Sequence, residues 1–308
     1  MKRKLTAFVM SMTAFDRDFA LDEAALRAHL GRLRDAGVGV YIAGSASGEG
    51  FSLSPQELDR VLAISIEELK GHVNIRAMGC EVRHVEETKE FLRHAGRYSF
   101  DAVHIFPPEM GHATKPTMAE LDAYYTEAIA ATRLPVVLSS YQSFGFELPA
   151  DLLDTLLQRF PGQIASFFYG GHDARYLAMM IGRFADRIEV HCAGPSQAMT
   201  TLALGGHGFM GHEGNLAPRL VRSVITAFQA GDHELLRKAY AGLMGIHAIH
   251  YRHGGPTRAM KPLLDALGLP GGTLRPPRKA ITEAELDKVI QDTLKLEIPE
   301  LQGLTPRG

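Results

Sequence analysis

Short apolar runs alternate with longer amphipathic stretches along this chain, and the alternation occurs eight times. The runs are Leu5–Met10, Val38–Ala43, Val73–Met78, Ala102–Phe106, Pro135–Ser139, Ile164–Phe168, Ile188–Cys192 and Gly208–Gly211. Mainly apolar residues without strict alternation over so short a run are what a parallel strand covered on both faces requires. The stretches between the runs open on helix start signals. Ser54-Pro55-Gln56-Glu57 and Thr117-Met118-Ala119-Glu120 are capping boxes, the first with proline at the first helical position. Asp173, Ser196 and Asn215 are predicted N-caps for the helices after the sixth, seventh and eighth runs. Strict strand–helix alternation predicts a parallel sheet, and eight units predict its closure. The expected class is therefore α/β, a (β/α)8 TIM barrel with a C-terminal helical extension. An open doubly wound sheet is disfavoured because no GxGxxG follows the first run.

Strand signals stop after Ala230. Asp232–Tyr251, Thr257–Leu267 and Thr282–Leu296 predict three helices, the last behind the capping box Thr282-Glu283-Ala284-Glu285. The barrel is assigned to residues 1–231 and the three-helix extension to residues 232–308. Length alone allows two domains, but a barrel of about 250 residues routinely stands as one. Met1-Lys2-Arg3-Lys4 before Leu5–Phe15 superficially resembles a signal peptide. The apolar part is short, contains Thr6, Ser11 and Thr13, and ends in Asp16-Arg17-Asp18, so it is assigned to the first strand. No run reaches the roughly 18 apolar residues that a membrane span requires. A net charge of −2 with interspersed signs provides no basic surface for nucleic acid or membrane. Cys80 and Cys192 form no CxxC or zinc spacing, and a reduced, cytoplasmic setting fits them.

In such a barrel, chemistry sits at the C-terminal ends of the strands and in the loops that follow. After the second run the chain reads Gly44-Ser45-Ala46-Ser47-Gly48-Glu49-Gly50-Phe51. Small residues leave backbone N–H groups and two hydroxyls able to hold a carboxylate. The alternative is a tight glycine-rich turn. The loop is neither a Walker loop nor a nucleophile elbow, since no Gly-Lys-Ser/Thr follows and Ala46 holds the central position. His104, His112, His172, His191 and His212 lie on or beside these segments. A metal site with Glu49, Asp173 or Glu213 as a further ligand is one reading. No HxH or HExxH pair concentrates the histidines, so packing and capping roles are favoured and no metal is expected. His212, beside Glu213, is the histidine suited to general-base work.

Several motifs, in order, resemble the dihydrodipicolinate synthase / N-acetylneuraminate lyase family. They are Ser47-Gly48-Glu49, Thr13-Ala14-Phe15, Tyr141, Gly205-Gly206-His207-Gly208, Asn215-Leu216-Ala217-Pro218-Arg219, Leu267–Gly272 and Arg275-Pro276-Pro277. The resemblance implies a class I aldolase mechanism. A lysine on strand six forms a Schiff base with a 2-oxo acid, a strand-five tyrosine relays protons, and the hydroxyl loop holds the carboxylate. It also implies a homo-oligomer, a tetramer or a dimer.

The sequence departs from that pattern. Aligned on Ile164 and Asp173, the lysine position holds Phe168, and no lysine lies between Lys115 and Lys238. The remaining lysines are expected on helices and termini and charged, with Lys115 alone placed to bend towards the site. Pro107-Pro108-Glu109-Met110 replaces the family's Pro-Tyr-Tyr segment, the loop from Tyr141 to Pro149 is short and lacks arginine, and Pro195 follows Gly194 where an acid is common. The expected function is a lyase or hydro-lyase acting on a small 2-oxo acid or other carboxylate without a lysine Schiff base. Tyr141, Ser47 and His212 are the expected catalytic residues. Ser45, Ala46, Gly48, Glu49, Phe168 and Gly211 are the expected substrate-binding ones, with no cofactor. A non-catalytic metabolite-binding homologue and a metal-dependent lyase are the alternatives.

Overall fold

The computed structural model describes residues 3–81, 84–112, 114–304 and 306. Met1 and Lys2, at the head of the signal-like segment, and Ala113 lie outside them. Eight strands follow one another in chain order round a closed barrel: β1 (Thr6–Met10), β2 (Gly39–Ile42), β3 (Ile75–Met78), β4 (Ala102–Ile105), β5 (Val136–Tyr141), β6 (Ile164–Gly170), β7 (Glu189–Ala193) and β8 (Gly208–Gly211). The pairings β1–β2, β3–β4, β4–β5, β5–β6, β6–β7 and β7–β8 are parallel. Every residue of β2, β3, β4 and β8 is buried, which is why the runs read as apolar without alternation. This is the TIM barrel the sequence predicts.

Helices α1 (Glu23–Ala36), α2 (Pro55–Leu69), α3 (Val85–Ala95), α4 (Met118–Ala130), α5 (Ala150–Arg159), α6 (Ala174–Phe184), α7 (Ala198–Ala203) and α8 (Pro218–Ala230) alternate with the strands. Then come α9 (His233–Arg252), α10 (Pro256–Ala266) and α11 (Glu283–Leu294). The capping boxes at Ser54, Thr117 and Thr282 form as predicted, and Asp173 caps α6 by accepting from Arg175 and Tyr176 N–H.

Two predicted caps are corrected. Gln197, not Ser196, precedes α7 and makes no side-chain cap. Ala217, not Asn215, precedes α8. Pro218 supplies the preset φ at the start of α8, and the Glu300 carboxylate accepts from Leu220 N–H at 3.0 Å. Asn215 is thereby free to bond elsewhere.

The chain divides into two compact units. One contains Ile75–Met210, and the other Leu5–Asn74 together with the chain from Gly211 onward. Within the second unit α9 packs on α8, and α10 and α11 pack on α9. Within the first, β5 and β6 run on to Tyr141 and Gly170, past the predicted ends at Ser139 and Phe168. The extension follows from the ladder pairs Ser140–Tyr169 and Tyr141–Gly170. A side chain at Gly170 would collide with the Tyr141 ring, so this strand end requires glycine.

No helix among the described residues is long and apolar enough to cross a membrane.

Candidate active site

In the unit containing β1, β2 and the chain after Gly211, the loop following β2 turns back on itself. Ala43 and Glu49 adopt left-handed φ values of 65° and 49°, and Gly50 N–H donates to the Gly44 carbonyl at 3.2 Å. A Cβ on Gly48 would lie 2.6 Å from the Gly44 oxygen, so only glycine fits there. The loop is held from outside. Thr13 donates its hydroxyl to the Gly48 carbonyl at 2.7 Å, and Arg278 donates to the Ala46 and Ser45 carbonyls at 2.8 and 3.2 Å. A trans peptide sets its N–H opposite its C=O. The N–H groups of Ala46 and Ser47 therefore point away from the Arg278 guanidinium.

Ser47 and His212, 165 residues apart, meet here. Ser47 is 1% exposed, and its Oγ lies 2.5 Å from His212 Nδ1. Burial lowers the His212 pKa, partly opposed by the neighbouring Glu213 carboxylate. A neutral imidazole follows, and the Ser47 hydroxyl can donate to its Nδ1. Asn215 fixes the turn that carries His212. Its amide donates to the His212 carbonyl at 2.8 Å and to Met10 O at 2.9 Å, and its oxygen accepts from Met12 N–H at 3.1 Å and His29 Nε2 at 2.9 Å. Burial takes the His29 pKa down to about 3, so that ring is neutral and serves as a donor.

Glu213 does not set the His212 tautomer through a hydrogen bond. Its Oε1 accepts from His247 Nδ1 at 2.7 Å, and its Oε2 lies where a Cβ on Gly211 would be, so Gly211 must stay bare.

Glu49 is fully buried and ion-paired with Lys261 of α10, also fully buried. Lys261 donates a second hydrogen bond to the Thr273 carbonyl at 2.7 Å and lies 4.6 Å from the Phe15 ring centre. Burial lowers its pKa to about 8, with Glu49 opposing. Lys261 lies on a helix, as expected of the lysines, but it is buried against Glu49 and is not held at its ordinary pKa. Lys115 is exposed.

In the unit Ile75–Met210, the ends of β4, β5 and β6 carry an aromatic cluster. Phe168 is fully buried, with ring centres 5.3 Å from Tyr141 and 5.8 Å from His104. Tyr141 stacks on Phe106 at 5.2 Å. Burial, with Arg76 adding to it, takes the His104 pKa down to about 3, which removes it as a base near neutral pH. Burial likewise holds His191 well below its ordinary value, and its Nδ1 lies 3.3 Å from Ser166 Oγ. His112 and His172 are exposed. Among the described residues, no three His, Cys, Asp or Glu side chains group so as to hold a metal ion.

With this geometry in place, the comparisons decide the family. A model of the Dihydrodipicolinate synthetase family matches residues 3–296. The chain belongs to that family.

A 4-hydroxy-tetrahydrodipicolinate synthase of Methanopyrus kandleri is 26% identical over 299 residues, covering 96% of each chain. A "Probable 5-dehydro-4-deoxyglucarate dehydratase" of Ralstonia nicotianae is 27% identical, covering 95% of this chain and 93% of its own. YagE, a prophage protein of the dihydrodipicolinic acid synthase family from E. coli K12 whose structure contains pyruvate, superposes with a TM-score of 0.86. That match covers 95% of this chain and 98% of YagE at 23% identity, and so speaks for the fold alone. Within the dihydrodipicolinate synthetase family frame, the motifs after β2 and β8 were legible in sequence. Arg278, Lys261 and His247 were not singled out, although Arg278 directly follows the Arg275-Pro276-Pro277 motif.

Proposed function

We propose that this chain is a dihydrodipicolinate synthetase-family lyase or hydro-lyase for a small 2-oxo acid that works without a lysine Schiff base. The observation that carries the reading is the Ser47–His212 contact, a hydroxyl and a neutral imidazole joined at the ends of β2 and β8. Support also comes from the sequence of β6, which contains no lysine; counted from Ile164 and Asp173, Phe168 takes the position that the resemblance gives to the lysine. In this reading the backbone around Ala46 holds the substrate carboxylate. Ser47 takes a proton from the carbon beside the carbonyl while passing its own to His212 Nδ1. The enolate then forms a bond to an aldehyde, or expels a β-hydroxyl as water. Loop N–H groups stabilise the negative oxygen. His212 returns that proton through Ser47 to the new alkoxide or to the departing hydroxyl, so that protons and charge balance. Ser45, Gly48 and Gly211 shape the binding surface, while Glu49, engaged by Lys261, holds the loop. A cytoplasmic homo-oligomer belongs to the same reading.

Calorimetry with pyruvate tests the carboxylate loop. Ala46→Pro, which removes one of the loop N–H donors, should weaken binding by about 1–2 kcal/mol, the cost of one hydrogen bond to an anion. Equal affinity in the variant, or no binding of any small 2-oxo acid by the wild type, would contradict the assignment.

A further inference from the structure

Behind the Ser47–His212 pair lies a carboxylate–histidine pair that the reaction as drawn leaves unused. Glu213 is 1% exposed, and its Oε1 accepts from His247 Nδ1. Its other oxygen has no hydrogen-bond partner among the described residues. A buried carboxylate bonded on one side only should lose its charge unless something nearby holds it. His247 is placed to do that. It comes from α9, in the extension, and keeps 21% of its side chain exposed, so it connects the buried carboxylate to the surface.

We propose that His247 is a positioning residue of this site: by hydrogen-bonding Glu213 it keeps the buried carboxylate ionised, so that a proton taken up by His212 meets a fixed negative charge on the next residue. The inference rests on the Ser47–His212 reading above. Charge balances at each stage. Before the step His212 is neutral and Glu213 anionic. After it, the imidazolium and the carboxylate form a neutral pair in a buried place, where an unpaired cation would be costly. Without His247, Glu213 would take up a proton itself and His212 would charge alone.

The electrostatics agree with the geometry. Burial pushes the Glu213 pKa up, but the His247 hydrogen bond first, then the His212 ring, the residue's own backbone N–H and the His247 ring together outweigh it, and the carboxyl ends below its ordinary value. The other titratable groups around the cluster are His250, Tyr251 and His253, the last beside Glu285. His250 is fully buried, has no hydrogen-bond partner on either ring nitrogen among the described residues, and is taken down to about 4 by burial. Burial raises Tyr251, whose ring centre lies 4.3 Å from that of His247. His253 bears on His250 and lies 3.9 Å from Glu285.

NMR titration of the full chain, with labelled histidine rings and glutamate carboxyls, tests the proposal without a substrate. His247→Ala should raise the Glu213 midpoint by about one pH unit or more, a roughly tenfold gain in proton affinity. His247→Asn, which returns an N–H near the place of Nδ1, should restore most of the shift. A purely structural His247 would lower the melting temperature in both variants and leave Glu213 where it was, and that result overturns the proposal. Ser47→Ala separates the two readings. It should move the His212 ring resonances and leave Glu213 alone. Unmoved His212 resonances would sink the Ser47–His212 reading, and with it the role given to His247, whatever Glu213 does.

Discussion

In heavy water the protein should exchange the methyl protons of pyruvate for deuterium, and His212→Gln should slow that exchange by a factor of about 10²–10⁴, the usual contribution of a positioned general base. Exchange is the first half of the proposed chemistry and needs no knowledge of the second substrate. Glutamine can still accept a hydrogen bond from Ser47, but it cannot take the proton. The pH profile has a defined sign. His212 must be neutral to act, and burial places its midpoint below the ordinary 6.5. The rate should therefore be flat near pH 7 and fall as the pH drops through that lowered midpoint. Proton NMR of the pyruvate methyl signal measures both. An undiminished rate in His212→Gln would remove His212 from the mechanism.

Lys261→Met should destabilise the fold by about 3–5 kcal/mol, the penalty for removing one partner of a buried ion pair. The reason is Glu49, fully buried and anchored by that amine at the end of the loop that carries Ser47. With the lysine gone, that buried carboxylate is left without its ion-pair partner. Adding Glu49→Leu to Lys261→Met should recover most of the loss, because two apolar groups replace two charges together. Denaturant midpoints of the two variants and the parent measure this. A loss below about 1 kcal/mol in Lys261→Met, the scale of a surface pair, would show that the ion pair does not hold the loop.

The barrel was legible because most strand positions are covered on both faces and leave short, mainly apolar runs, as at Gly208–Gly211, where predicted and observed bounds agree. Capping boxes were legible because both partners lie within one turn. Asn215 misled because its residue type suits a cap, whereas its four hydrogen bonds reach Met10, Met12, His29 and His212. Ser47 and His212 were each named on local grounds, one from a loop of small residues and one from its acidic neighbour. Their contact required the fold. Lys261 was illegible for the same reason in stronger form. Its partner lies 212 residues away, and a lysine on an amphipathic helix ordinarily faces water. His247 likewise looks like any helical histidine until Glu213 is placed beside it.

The central claim, carbonyl chemistry without an imine, is tested most directly by treating the wild-type protein with pyruvate and borohydride and weighing it. An imine needs a neutral amine beside the bound carbonyl. Phe168 offers none, Lys115 is exposed, and Lys261, whose pKa of about 8 brings it nearest to neutrality, has no exposed surface and is bonded to Glu49 and Thr273. The mass should be unchanged. A pyruvate-sized increase that maps to any lysine, Lys261 above all, would contradict the account and give this chain a covalent mechanism.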